Sequence, residues 1–239
     1  MPGEYFQFKQ FRVHQDRCAM KVGTDAVLLG AWVKIENSAT ILDIGTGSGV
    51  IALMLAQRSE KAKITAIDID EPAITQAAEN VNTSPFASKI SVRHCSLQDL
   101  AKNSDRKYDL IVTNPPYFVD SLKNNDVNRS KARHTETLSH SELIEGVKQL
   151  LDSKGKFCLI LPRNEALLFR EAAQLKGLYL SRLLKIYTTK NKESEKRHLM
   201  QFEFRETEFS ESSLVIEHEQ HRHYTDEYKA LTKDFYINF

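Results

Sequence analysis

The turn Asp43-Ile44-Gly45-Thr46-Gly47-Ser48-Gly49 limits what this chain can fold into more than any other stretch. An apolar run, Thr40 to Ile44, leads into it and reads as a strand. Val50 to Gln57 leads out of it and reads as a helix. Glycines at such a junction let the backbone reverse tightly and let a ligand approach with no β-carbon in the way. The first NH groups of the helix open into the same space. Gly45, Gly47 and Gly49 are spaced by two throughout, unlike the Gly-x-Gly-x-x-Gly of dinucleotide-binding turns, so a pyrophosphate cradle is disfavoured.

The residues that follow repeat the alternation. Strands are expected at Lys63 to Ile67, Ile90 to His94, Leu110 to Thr113 and Lys156 to Leu161. Helices are expected at Glu71 to Asn82, with Pro72 in the first turn, at Ser139 to Leu151 and at Glu165 to Leu175. Ser139 with Glu142 resembles a capping box. Leu183 to Thr188 and Leu199 to Arg205 read as two final strands whose short link implies an antiparallel hairpin. The pattern predicts an α/β fold, a mostly parallel sheet with helices on both faces. Residues 1–39 read as a separate N-terminal lid or flap, with a short strand pair in Gln7 to Val13 and a helix over Asp25 to Val33 capped by Thr24. Residues 40–207 form the sheet domain. Residues 208–239 read as a C-terminal extension, with a strand candidate at Leu214-Val215-Ile216 and a helix from Asp226 to Phe235.

At 239 residues the chain is one large domain or one domain with an appendage. A net charge of +1 announces no global field for nucleic acid, so any RNA-binding surface must be a local patch. Cys18, Cys95 and Cys158 are far apart and form no C-x-x-C pair, which suits a reducing compartment. Met1 to Gln10 has no apolar signal core, and the apolar stretch Ala26 to Val33 is too short to span a bilayer. A cytoplasmic protein without a membrane partner is expected. His218, His221 and His223 lack ordered zinc spacing, so no metal is expected.

Ligands of such sheets bind beyond the carboxyl ends of the strands. Asp68 ends the second strand about 20 residues after the glycine turn, where a carboxylate can accept both hydroxyls of a ribose, with Ile69 beside it. Asp70 reads as the start of the next helix. At the end of the third strand Ser96 offers a polar contact and Leu97 an apolar wall to a purine ring, with Asp99 a competitor for Ser96. The most telling stretch is Asn114-Pro115-Pro116-Tyr117, after the fourth strand. The Asn114 side-chain oxygen and the Pro115 carbonyl can accept both hydrogens of an aromatic amine, drawing a conjugated nitrogen toward tetrahedral geometry. Pro116 has no NH to compete, and Tyr117 offers a face for stacking. With a sulfonium methyl donor, positioning alone could lower the barrier by roughly 7–11 kcal/mol.

Asn114-Pro115-Pro116-Tyr117 after the glycine turn resembles the class I S-adenosylmethionine-dependent amino-methyltransferases. The blocks Phe11 to Trp32 and Ala132 to His140 resemble, more narrowly, the bacterial tRNA1(Val) (adenine-37-N6)-methyltransferase family. That resemblance implies a Rossmann-like seven-stranded sheet of order 3-2-1-4-5-7-6, S-adenosylmethionine as cofactor, and adenine 37 of a tRNA anticodon loop as acceptor. It implies that Asn114, Pro115, Pro116 and Tyr117 hold the target base. Asp43, Gly45, Thr46, Gly47, Gly49, Asp68, Ile69, Ser96, Leu97 and Asn114 would hold the cofactor, and Lys21, Thr24 and Asp25 would close over its methionine end. Family members often carry an acid where this chain has Ser96, leaving the adenine contact open between Ser96 and Asp99. A base in an open loop suits stacking on Tyr117 or Phe118. Phosphates need cations. Lys123, Arg129, Lys131 and Arg133 follow the active turn, and Lys190, Lys192, Lys196 and Arg197 bracket the last hairpin loop. No obligate protein partner is implied. Two alternatives stay open: methylation of a glutamine amide in a protein, usually with a larger preceding helical domain, and a non-catalytic RNA-binding module.

Overall fold

The computed structural model describes residues 4–115, 138–189, 195–219 and 222–239. The N-terminal strand pair is β1 (Tyr5–Gln7) and β2 (Arg12–His14), followed by α1 (Thr24–Trp32). Then come β3 (Thr40–Ile44), α2 (Val50–Arg58), β4 (Lys63–Asp68), α3 (Glu71–Asn82), β5 (Ile90–His94), α4 (Leu97–Lys102) and β6 (Tyr108–Thr113). The second half holds α5 (His140–Leu150), β7 (Leu151–Pro162), α6 (Arg163–Leu175), β8 (Tyr179–Thr189), β9 (Arg197–Glu203), β10 (Ser210–Glu217) and α7 (Asp226–Thr232).

One sheet runs β10-β8-β9-β7-β6-β3-β4-β5. Numbered along the sheet domain, seven of its strands stand in the order 3-2-1-4-5-7-6. β9 is antiparallel to both β7 and β8. The tail supplies an eighth strand, β10, parallel to β8. β3 lies at the centre, flanked in parallel by β4 and β6. A parallel strand covered on both faces reads as a continuous apolar run, and Ile41 to Ile44 are all buried. Ile41 joins one core layer with α1, α2 and the aromatic tail residues Tyr228 and Phe235. Leu42 and Ile44 join the other, with α4, α5 and α6.

Trp32 is buried at the end of α1, its ring under the Arg182 guanidinium at 3.7 Å. Ser139 makes the expected capping box with Glu142. Several boundaries moved. Gly23, not Thr24, occupies the cap position of α1; its extended backbone starts the helix without a side-chain cap, and Thr24 is the first helical residue. α7 stops at Thr232, short of Phe235, which is nevertheless buried. β7 and β8 are longer than the apolar runs suggested, because neighbouring strands extend their ladders past the apolar residues. α4 was not foreseen: it is only six residues long, too short for periodicity to show.

Candidate active site

The glycine turn closes β3 onto α2 with three left-handed glycines, Gly45 at φ 66°, Gly47 at 55° and Gly49 at 82°. Only glycine reaches this region at little cost. The Thr46 amide donates to the carbonyl of Ile67 at 3.0 Å, tying the turn to β4. The Gly47 amide donates to Asp68 Oδ2 at 2.8 Å, and the Asp70 amide to Asp68 Oδ1 at 3.1 Å. Each carboxylate oxygen of Asp68 thus spends one acceptor site on the backbone and keeps another for a hydroxyl. A β-carbon on Gly45 or Gly47 would meet nothing within 4 Å, so both turn residues border open space.

Asp43 is completely buried beneath this turn. Thr46 Oγ1 donates to its Oδ2 at 2.6 Å. Burial pushes the carboxyl up to about 7, against the downward pull of the Thr46 hydrogen bond.

The stretch from Met20 to Ala26 faces the glycine turn across a cavity of about 320 Å³, whose wall also includes Gly45 to Ser48, Val50, Ile51 and Asn114. This brings Lys21, Thr24, Asp25, Gly45, Thr46, Gly47 and Asn114 together. Val50 and Ile51 were missed among the lining; they are buried residues of the first turn of α2 whose sequence gives only a packing signal, and Ser48 is a buried residue of the glycine turn itself. Asn114 follows β6, which Thr113 ties to β3 by donating its hydroxyl to the carbonyl of Ile44 at 2.8 Å. Asn114 Oδ1 is buried and has no hydrogen-bond partner among the described residues. Pro115 is buried. Pro116, Tyr117, Phe118, Lys123, Arg129, Lys131, Arg133, Lys190 and Lys192 lie outside the described residues.

Beyond the turn, Ile69 is 56 % exposed beside Asp68, and its carbonyl bonds His94 Nε2 at 2.9 Å. Ser96 caps α4: its hydroxyl accepts from the Asp99 amide at 3.0 Å and donates to Asp99 Oδ2 at 2.6 Å. Ser96 and Asp99, the two competitors, are therefore one hydrogen-bonded pair. Leu97 is buried in the second core layer, against Gly146 of α5. Three cations near the last hairpin contact acids. Arg197 Nε contacts Asp25 Oδ2 at 2.8 Å, Arg163 contacts Glu195 at 3.0 Å and Lys185 contacts Glu211 at 2.5 Å. Arg197 thus joins the start of β9 to the cavity wall rather than standing alone as a surface cation.

A twisted, mostly parallel sheet with this strand order and a glycine turn at the end of its first strand defines a class I methyltransferase fold, and residues 18–193 match the methyltransferase small domain family. The fold resembles that of a predicted O-methyltransferase from Agrobacterium tumefaciens, with a TM-score of 0.68 at 16% identity over 88% of this chain and 96% of that one. The chain belongs to the tRNA1(Val) (adenine(37)-N6)-methyltransferase family: it is 49% identical to the Bacteroides fragilis member over 99% of both chains. It is 43% identical to the Trichodesmium erythraeum member over 100% of both chains.

Proposed function

We propose that this chain transfers a methyl group from S-adenosylmethionine to N6 of adenine 37 in the anticodon loop of tRNA1(Val), in the cytoplasm. One observation carries the reading beyond the family names. A buried side-chain acceptor with no partner among the described residues, Asn114 Oδ1, belongs to the lining of the same cavity as the glycine turn. An unmet buried acceptor is costly, and an aromatic amine supplies the donor it lacks.

The residues suit the cofactor. Asp68 keeps acceptor capacity for a ribose diol, and exposed Ile69 offers an apolar face beside it. The open sides of Gly45 and Gly47 leave room for the methionine end, opposite Lys21 to Asp25, with Asp43 buried beneath the turn. When bound, S-adenosylmethionine supplies an electrophilic methyl group on a sulfonium that departs as a neutral thioether. Asn114 Oδ1 and the Pro115 carbonyl each accept one hydrogen of the adenine amine and localise its lone pair. The Asn114 side chain orients that nitrogen toward the donor cavity, and the α1 side of the wall excludes water from it. No side-chain base is needed, because a nitrogen that has gained a methyl group sheds its proton readily. Pro116, Tyr117 and Phe118 complete the base-binding turn in this reading. Residues 1–39 serve as the lid, contributing Met20 to Asp25 to the cavity wall. An adenine must leave its stack to reach this depth, which a loop nucleotide does at little cost. For backbone phosphates, the segments at Lys123 to Arg133 and Lys190 to Lys196 are the candidates, and Arg197 is the weaker one because it contacts Asp25.

The test is direct. Purified protein is incubated with labelled S-adenosylmethionine and total tRNA from a strain lacking the activity, and the digested nucleosides are read by mass spectrometry. N6-methyladenosine at position 37 of tRNA1(Val) is expected. Methylation of a protein glutamine instead, or binding of tRNA without turnover, would overturn the assignment.

A further inference from the structure

We propose that Asn80, on the buried face of α3, is a positioning residue for the cofactor: it ties the N-terminal segment to the glycine turn and so sets the width of the cavity. The proposal rests on the assignment of that cavity to S-adenosylmethionine.

Asn80 is wholly buried, in the last turn of α3. Asparagine is a poor helix former, and burying its amide costs free energy unless every polar atom is matched. Here they are. Oδ1 accepts the His14 amide at 2.8 Å, and Nδ2 donates to the His14 carbonyl at 2.8 Å. Nδ2 also donates to the carbonyl of Ser48, inside the glycine turn, at 2.9 Å. None of these bonds serves α3 itself. Together they join two distant pieces of backbone, at His14 and at Ser48, and Ser48 lines the cavity.

The neighbouring amides act on the same segment. Gln76, one turn earlier and also buried, accepts the Arg17 amide at 3.2 Å. Buried Gln15 folds back to accept the Val22 amide at 2.7 Å. The stretch from Gln15 to Gly23 has no helix or strand. Beyond the Gln15 amide, which bonds the Glu4 carbonyl at 3.0 Å, its backbone is in no ladder; these side chains anchor its start at His14 and hold it at 17 and 22. Immediately after the last of these points come Gly23, Thr24 and Asp25, which line the cavity opposite Gly45 to Ser48. Such loops open at low cost unless tethered. Loss of the tether is expected to widen the cavity and weaken the cofactor's grip while leaving the sheet and Asn114 in place.

The experiment titrates S-adenosylhomocysteine into full-length protein by calorimetry, alongside thermal melts and steady-state kinetics. The variants are Asn80→Leu, near in shape but without polar atoms, and Gln15→Met and Gln76→Met, which release Val22 and Arg17 without touching Ser48. Ser181→Ala is the control; Ser181 is a buried hydroxyl bonded to Gln201 on β9, away from the cavity. Asn80→Leu should weaken binding by ~10-fold or more, equivalent to roughly 1.4 kcal/mol per tenfold. The KM for S-adenosylmethionine should rise by a similar factor, with kcat at saturation changed by less than about threefold. Gln15→Met and Gln76→Met should show the same split, smaller. They carry the test alone if Asn80→Leu does not fold. Ser181→Ala should melt earlier yet bind as the wild type does. If the amide variants also melt earlier but bind normally, or lose kcat with KM unchanged, Asn80 is merely structural and the proposal fails. A wild-type protein that does not bind S-adenosylhomocysteine would instead overturn the reading of the cavity itself.

Discussion

The two walls of the cavity are built on opposite principles. On the glycine-turn side, most polar groups are matched within the protein: Thr46 with Asp43 Oδ2, Gly47 and Asp70 with Asp68, Asn80 with His14 and Ser48, leaving Asp43 Oδ1 without a hydrogen-bond partner among the described residues. On the Asn114 side, a buried oxygen waits with no partner among the described residues. The first wall is formed before anything binds, as suits a cofactor common to every turnover. The second carries a deficit, among the described residues, that the acceptor base can meet. A fold that leaves a buried acceptor such as Asn114 Oδ1 without a partner among the described residues has placed a polar deficit where the chemistry occurs.

The largest effect expected from breaking this contrast falls on the deficient wall. Asn114→Ala should cut kcat by roughly 10²–10³-fold, the range typical for loss of one preorganised hydrogen-bonding group at the reacting atoms. S-adenosylhomocysteine affinity should stay within a few-fold. Near-normal turnover would mean the unmatched oxygen has another purpose. Next in size, Gly47→Ala should strike the matched wall. Its β-carbon meets no neighbour, so the penalty is purely conformational, about 1–2 kcal/mol for forcing a side chain into left-handed backbone. A lower melting temperature together with weaker cofactor binding is expected. An unchanged melt would show that the turn relaxes to another conformation.

The same contrast explains what the sequence disclosed. The glycine turn and its flanking runs announce themselves because buried parallel strands are continuous apolar segments and because left-handed positions demand glycine. Strand order, the capping box of α5 and the cavity-lining role of Lys21 to Asp25 followed from those patterns or from resemblance. The tethers were hidden. Asn80 and Gln76 sit among polar residues of an amphipathic helix, and only three-dimensional contact distinguishes a buried amide from a solvated one. The pairing of Arg197 with Asp25 was equally invisible, since it joins residues far apart in sequence, and a run of cations reads as phosphate-binding until its acids are located. Leu97 shows the same limit: it stands at the expected strand end, and its burial against Gly146 in the core is visible only in three dimensions.

The smallest expected effect separates the two walls by charge. Free Asp43 titrates near 7 because it is buried, well above an ordinary carboxyl. A group whose folded pKa is raised lends stability that is full below the unfolded pKa of about 4 and is lost as pH climbs through the folded value. The ligand-free protein should therefore lose stability between about pH 4 and pH 7–8 through this residue, and Asp43→Asn should flatten that part of the profile. Cofactor binding should show the opposite slope. The ammonium and sulfonium of S-adenosylmethionine favour the ionised carboxylate, so binding in the wild type releases a proton below about pH 7, and affinity weakens as pH falls, by at most ~10-fold per unit. In Asp43→Asn the affinity should be lower at pH 8 and nearly flat down to pH 5.5. Calorimetry in two buffers of different ionisation enthalpy would count the proton directly. Parallel profiles for wild type and variant would show that the buried acid does not sense the cofactor's charge, and that the matched wall works by shape alone.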